Sequence, residues 1–305
     1  MNTACANAMR PRLLRGAALS RSRAWLLRAV VLSLCVFLVA CSSTRFAYNQ
    51  ADWALVWYLN GYFTLDDAQE DQLRESVQRN FEWHRQTQLT QYAEFARQLE
   101  KDADGVLTVE LLELRYERMV EFWDVLLAQA LPDVSAFFLT LTDAQIEEFI
   151  ENLEDGNEEL WEEYAGATPE ERIERRQKSA IRGFKRAFGR LTDEQKEMIR
   201  AYMLNMHDVS EYWMASRQRW QQDFKRLVLE RPPEPEFSDR LMALMLDPNR
   251  TDDPAYRIKV DENREVFLAM AVALSEVLTD KQRKRFKDRV NKFARDFDKL
   301  SQQET

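Results

Sequence analysis

Two histidines and three cysteines, His84, His207, Cys5, Cys35 and Cys41, are the whole inventory of imidazole and thiol in this chain. That is too thin for a zinc site, a haem or a Cys/His catalytic pair. A di-iron bundle needs Glu-x-x-His on each of two helices. Three places before the histidines stand Phe81 and Leu204 instead. No His-Glu-x-x-His, Gly-x-Ser-x-Gly or phosphate loop occurs. Acids are abundant, 52 in all, but a glycosidase pair is defined by separation in space, so spacing nominates none. These absences predict a non-enzymatic chain with no catalytic residue, no metal and no cofactor. His84 falls on the apolar stripe of its helix beside Phe81 and Gln88, as a satisfied core histidine would; a buried polar network or ligand contact is the alternative. His207 stands one turn before Glu211, the spacing of a surface ion pair.

One thiol sits in a specific setting. Residues 1–28 hold Arg10, Arg12, Arg15, Arg21, Arg23 and Arg28 and no acid, and an apolar run follows from Ala29 to Ala40. As a helix that run spans about 18 Å, against a hydrocarbon core of about 30 Å. A basic segment followed by a short apolar one predicts an export signal rather than a membrane span, with Met9 a second plausible start. The run ends Leu38-Val39-Ala40-Cys41, followed by Ser42-Ser43-Thr44. These four residues resemble a bacterial lipobox. The resemblance implies a diacylglyceryl thioether on Cys41, cleavage between Ala40 and Cys41, and an N-acyl chain such as palmitate on the new terminus. An ordinary signal peptide with an incidental cysteine is the alternative. Position 42 is Ser, not the Asp of inner-membrane retention, so the expected address is the periplasmic face of the outer membrane. Two or three acyl chains anchor stably where one does not. Residues 1–40 are thus expected to be removed, 41–47 to be a tether and 48–305 a helical domain. The expected partners are the membrane, the lipoprotein maturation and sorting machinery, and an envelope protein or cell-wall polymer.

Cys5 and Cys35 leave with the signal, so the mature chain builds no internal disulfide in an oxidising compartment. Its core must suffice, and its length is ample for that. Without the six signal arginines, 37 basic residues face 52 acidic ones, a net charge of −15. That argues against nucleic acid and against anionic lipid surfaces as the main partner.

What must position any site is helical. The chain has only 7 Gly and 8 Pro, and apolar residues recur at steps of three and four throughout. The expectation is an all-α, elongated multi-helix bundle without a sheet. Two long helices are predicted at 66–101 and 193–230, each of roughly 35 residues and about 50 Å. Others are expected at about 48–61, 108–131, 143–163, 169–189, 255–277 and 280–300, with short ones at 133–140 and 238–246. Pro132 and Pro169 are read as first-turn prolines. Arg231-Pro232-Pro233-Glu234-Pro235 must end a helix, and a subdivision of the domain is placed near 232.

A motif marks helix starts. Leu141-Thr142-Asp143-Ala144-Gln145 recurs as Leu191-Thr192-Asp193-Glu194-Gln195 and Leu278-Thr279-Asp280-Lys281-Gln282, with a looser copy Leu65-Asp66-Asp67-Ala68-Gln69. Thr at the N-cap and Gln at N3 form a capping box, worth on the order of 1 kcal/mol. The same residues resemble the Leu-Thr-x-x-Gln motif of Spy-type periplasmic chaperones, which implies an all-helical client-binding surface. The mature chain more closely resembles a family of proteobacterial outer-membrane lipoproteins known only as a domain of unknown function. That likeness rests on Tyr48-Asn49, Asp52-Trp53, Trp57, Tyr58, Tyr62 and the acid- and Gln-rich start from Asp66 to Gln72. It implies a fold class and an address, but no activity.

Trp53 and Trp57, one turn apart, are expected to pack inward; a place at the lipid headgroup boundary is the alternative. Residues 143–163 carry ten acids and no base, whereas 169–190 and the last helix are basic. A hairpin would pair the two faces, with Ile146, Phe149 and Ile150 against Ile181, Phe184 and Phe188. A partner of either charge is the other reading. The expected function is an interaction, scaffold or chaperone-like module of the cell envelope. A carrier of an apolar ligand within the bundle, suggested by the Met- and aromatic-rich stripes, is the alternative, and an envelope hydrolase the third.

Overall fold

The computed structural model describes residues 43–162, 166–246 and 253–303. Leu38, Val39, Ala40 and Cys41 lie outside the described residues. Among the described residues the chain is all-α, with no strand. Its helices are α1 (Ser43–Tyr48), α2 (Ala51–Leu59), α3 (Asp67–Thr87), α4 (Leu89–Asp102), α5 (Val109–Thr140) and α6 (Asp143–Leu160). There follow α7 (Pro169–Phe188), α8 (Asp193–Leu204), α9 (Ser210–Glu230), α10 (Glu236–Leu246), α11 (Pro254–Glu276) and α12 (Asp280–Ser301). The chain divides into two units, Met1–Ala47 and Tyr48–Thr305, and the helical cores lie within the second.

All four motif copies are capping boxes: the N-cap oxygen accepts from the N3 amide, and the N3 glutamine returns to the N-cap N–H. The glutamines do more than cap. Gln195 Nε2 donates to Gln282 Oε1 at 2.9 Å, and Gln282 Nε2 donates back to Gln195 Oε1 at 2.8 Å. Their second N–H groups reach the carbonyls of Val277 and Arg190, each the residue before the partner motif's leucine. The first two copies repeat this: Gln69 and Gln145 exchange bonds of 3.1 and 2.7 Å and reach the carbonyls of Thr140 and Thr64. The four motifs therefore tie helix starts together in two reciprocal pairs, α3 with α6 and α8 with α12. Buried amides can be stabilising only when every donor finds an acceptor, and here each does.

Two larger apolar cores and a small one hold the helices together. The first core joins α3, α5, α6, α9 and α10 through Phe138, Ile146, Ile150, Phe224, Val228 and Phe237. The second is built by Leu191, Ile199, Met203, Met270 and Leu274, with Ile181 and Phe184 of α7 packed against it. Small residues let α4 and α12 approach closely at Ala93, Ala96 and Ala294.

Three expectations about elements are corrected. The helix expected over 193–230 breaks between α8 and α9. The Asn263 side chain accepts from the His207 N–H at 2.7 Å and donates to the His207 carbonyl at 3.0 Å. Asp208 then accepts from Ser210 N and starts α9. The longest helix is α5, which runs through Pro132. Proline forfeits one backbone donor there, and burial of Leu131, Ser135, Phe137 and Phe138 holds the helix together. The expected 66–101 helix turns at Gln88 into α3 and α4, with Gln88 N still bonded to His84 O.

The acidic and basic segments do not form the expected hairpin core. Ile146 and Ile150 of α6 belong to the first core, facing Phe224 of α9, whereas Ile181 and Phe184 of α7 belong to the second. The capping glutamines commit α6 to α3, and Arg289 of α12 donates to the Arg186 carbonyl of α7. The basic face of α7 is thus not neutralised by α6 through a shared apolar seam.

Candidate functional site

Apolar residues of α5 fall into two sets. Phe122, Leu131, Phe137 and Phe138 are buried. Tyr116, Met119, Val120 and Trp123, at helical steps of three and four, are open to solvent in the first half of the helix; the same stepping runs on to the buried Leu131 and Phe138 in its second half. Met119 is 58% and Trp123 54% exposed, which is unusual for side chains of that size. Glu113, Glu117 and Asp124 fall along one edge of this stripe by the same periodicity. Three cations lie nearby, and one of them, Arg264 of α11, sits over the Tyr116 ring of the stripe itself at 6.0 Å. Arg115 pairs with Asp102 at 2.6 Å, and Arg118 pairs with Glu121 at 2.7 Å while its guanidinium lies over the Phe122 ring. Asp102 is held below the usual carboxylate range, its burial outweighed by hydrogen bonds from Arg115 and Gln98. The result is an apolar strip with an acidic border on a rigid helix. By length and composition α5 is also the one described helix that could cross a membrane.

A second apolar surface lies on α2, where the expected inward packing is corrected. Trp53 is 67% and Trp57 69% exposed, with Tyr58 also outside. The inward positions are taken by Val56, Leu59 and Tyr62, which pack on the first core. In a helix of nine residues the tryptophans are left on a flank that faces solvent.

His84 is a half-buried core residue. Its Nδ1 lies 2.8 Å from the Tyr48 hydroxyl, and the two rings stack at 5.7 Å. Gln88, its expected neighbour in the stripe, instead donates to Thr87. Burial holds the His84 imidazole below its ordinary value and, with smaller effects from its neighbours, pushes the Tyr48 hydroxyl up to about 12. The unfolded chain therefore binds a proton more readily than the folded one as pH falls below the ordinary histidine value of 6.5. Stability is expected to fall over that acid range and to be complete above it. His84→Gln should flatten this part of the pH profile, measured by urea denaturation between neutral and mildly acidic pH. An unchanged slope would place the proton uptake elsewhere. His207 pairs with Glu262 of α11 at 2.6 Å rather than with Glu211, because the break before α9 removes the helical register that would join them.

Among the described residues no group of three or more His, Cys, Asp or Glu side chains is placed to hold a metal ion. Neither a curated protein nor a solved structure matches the chain. A family model does match, over residues 61–257, which takes in α3 to α10 and with them the α5 stripe. The chain belongs to that family, DUF6279, a family of unknown function.

Proposed function

We propose that this is a non-enzymatic lipoprotein, anchored through Cys41 in the outer membrane and facing the periplasm, that holds unfolded segments of envelope proteins on the outer face of α5. The observation that carries this reading is the solvent-open stripe of Tyr116, Met119, Val120 and Trp123 with its acidic border. Exposed apolar surface on a folded protein marks a place of association. The acids select among occupants: they disfavour an anionic lipid surface and favour apolar segments that carry Lys or Arg. A mature net charge of −15 acts in the same direction. The aromatic face of α2, close in sequence to Cys41, would lie at the headgroup boundary, where an apolar body with a polar tip fits.

Aggregation of a chemically unfolded basic model protein tests the reading. The wild-type chain should suppress light scattering near equimolar ratio. Met119→Glu with Trp123→Glu should abolish the suppression without lowering the melting temperature, since both side chains already face water. Suppression that survives the double substitution would refute the stripe as the binding face. The same variant binding anionic vesicles less well than the wild type, with suppression intact, would assign the stripe to the membrane instead. For the anchor, a fatty-acid analogue supplied to cells should label the wild type and miss Cys41→Ser; a labelled variant would exclude Cys41 as the acceptor.

A further inference from the structure

The basic face of α7 does not lie on a flat surface. It forms one wall of a groove of about 860 Å³ closed by the α8–α9 connection and by Asn263 and Phe267 of α11. Five cations line it, Arg172, Arg175, Arg176, Lys178 and Arg182, of which Lys178 is paired with Glu174 beside the groove. Its one lining acid, Asp208, is already bonded to Arg172 and to Ser210 N. In a chain with a strong acidic excess, this is a concentrated site of the opposite sign. The floor is apolar, made by Phe184, Phe188, Met203 and Phe267.

Arg176 is incompletely satisfied. One Nη donates to the His207 carbonyl at 3.2 Å, but its Nε is enclosed without an acceptor. Burial disfavours its charged form, a cost that an anion in the groove would offset. Arginine forks suit phosphate oxygens in particular.

Phe184 and Phe188 also line a second space. It is a more enclosed chamber of about 210 Å³, lined by Leu99, Leu107, Leu111, Leu278 and Phe286. Its charged neighbours are spent: Arg115 on Asp102, and Arg283 on the carbonyls of Ala103 and Ser275. A cationic groove and an apolar chamber therefore share the same two phenylalanines. A small inorganic anion would use only the first, and a hydrocarbon only the second.

We propose that groove and chamber form one binding site for a phospholipid with an anionic headgroup, its phosphate on the α7 arginines and an acyl chain past Phe184 and Phe188 in the chamber. The site is separate from the α5 stripe and does not depend on the function assigned to that stripe. Each half supplies what the other lacks: charge pairing sets the headgroup, and burial of the chain supplies apolar transfer free energy.

Native mass spectrometry of the purified full chain with lysophosphatidylglycerol, below its micelle concentration, tests the site. The wild type should bind one molecule. Arg176→Gln with Arg182→Gln should weaken binding about tenfold or more through loss of charge-assisted bonds. Leu107→Trp, at the half-buried mouth of the chamber, should weaken it comparably by filling the space of the chain. Lys185→Gln, on α7 but outside the groove, should change it by less than about twofold. Zwitterionic lysophosphatidylcholine should bind more weakly than the anionic lipid. No binding, equal binding of both lipids, or equal loss in Lys185→Gln would each overturn the proposal. So would unchanged binding in Leu107→Trp at an unchanged melting temperature.

Discussion

Gln195→Ala is expected to destabilise the protein by about 3 kcal/mol, more than an N-cap alone accounts for. Gln195 is 2% exposed, and its amide makes bonds to Thr192 N, to the Val277 carbonyl and, in both directions, to Gln282. Truncation strands the Gln282 amide and a backbone carbonyl in a buried site that water reaches poorly, and an unsatisfied buried group costs about 1–3 kcal/mol. The reciprocal geometry makes the two glutamines one unit. The double variant with Gln282→Ala should therefore lose less than the two single losses combined, by a coupling of about 1–2 kcal/mol. The pair of Gln69 and Gln145 supplies the contrast. Gln145 is half-buried, so solvent can replace part of what Gln145→Ala removes, and its loss should be smaller. Urea denaturation of the four variants measures all of this. Additive losses of about 1 kcal/mol each would reduce the motif to caps and nothing more.

Phe224→Ala should cost about 4 kcal/mol, within the range for truncating a buried phenylalanine. Phe224 is 3% exposed and stands where α5, α6 and α9 meet. Its ring lies edge-on to Phe138 at 5.1 Å, stacks on Trp220 at 5.3 Å and is tilted against Phe149 at 5.8 Å. No neighbour can collapse into the space without leaving its own ring partners, so most of the cavity persists. The same contacts fasten the second half of α5 to the bundle, so the variant should also loosen the helix that carries the stripe. Faster amide exchange in α5 than in α12 would show this. A loss below about 1.5 kcal/mol would mean that the site repacks.

The local features of this fold were legible in the chain. Four Asp/Thr-x-x-Gln starts, Pro169 at the head of α7 and the proline run after Glu230 act on the residues beside them, so their spacing alone predicts caps and stops. What escaped depends on residues far apart in sequence. The break after Leu204 is held by Asn263, 56 residues beyond His207, and nothing in the local periodicity announces it. The glutamine pairing joins positions 76 and 87 residues apart, so the repeated motif shows its capping role but not its partner. The α5 stripe continues at steps of three and four into the buried Leu131 and Phe138, so periodicity does not set it apart from core. Whether such a stripe is covered is decided by its neighbours, and period alone reads it as core. The same reason sent Trp53 and Trp57 inward in expectation and outward in the structure.

If α5 presents the binding face for envelope polypeptides proposed above, site-specific photocrosslinking in intact cells will show it. A photoreactive residue at position 123 should capture unfolded outer-membrane or periplasmic polypeptides, and capture should rise when their folding is blocked. The same residue at position 147, exposed on α6, should capture few. Capture at 123 should also fall when Met119 is replaced by Glu. Equal capture at the two positions, or capture at 123 of lipid alone, would exclude α5 as that face.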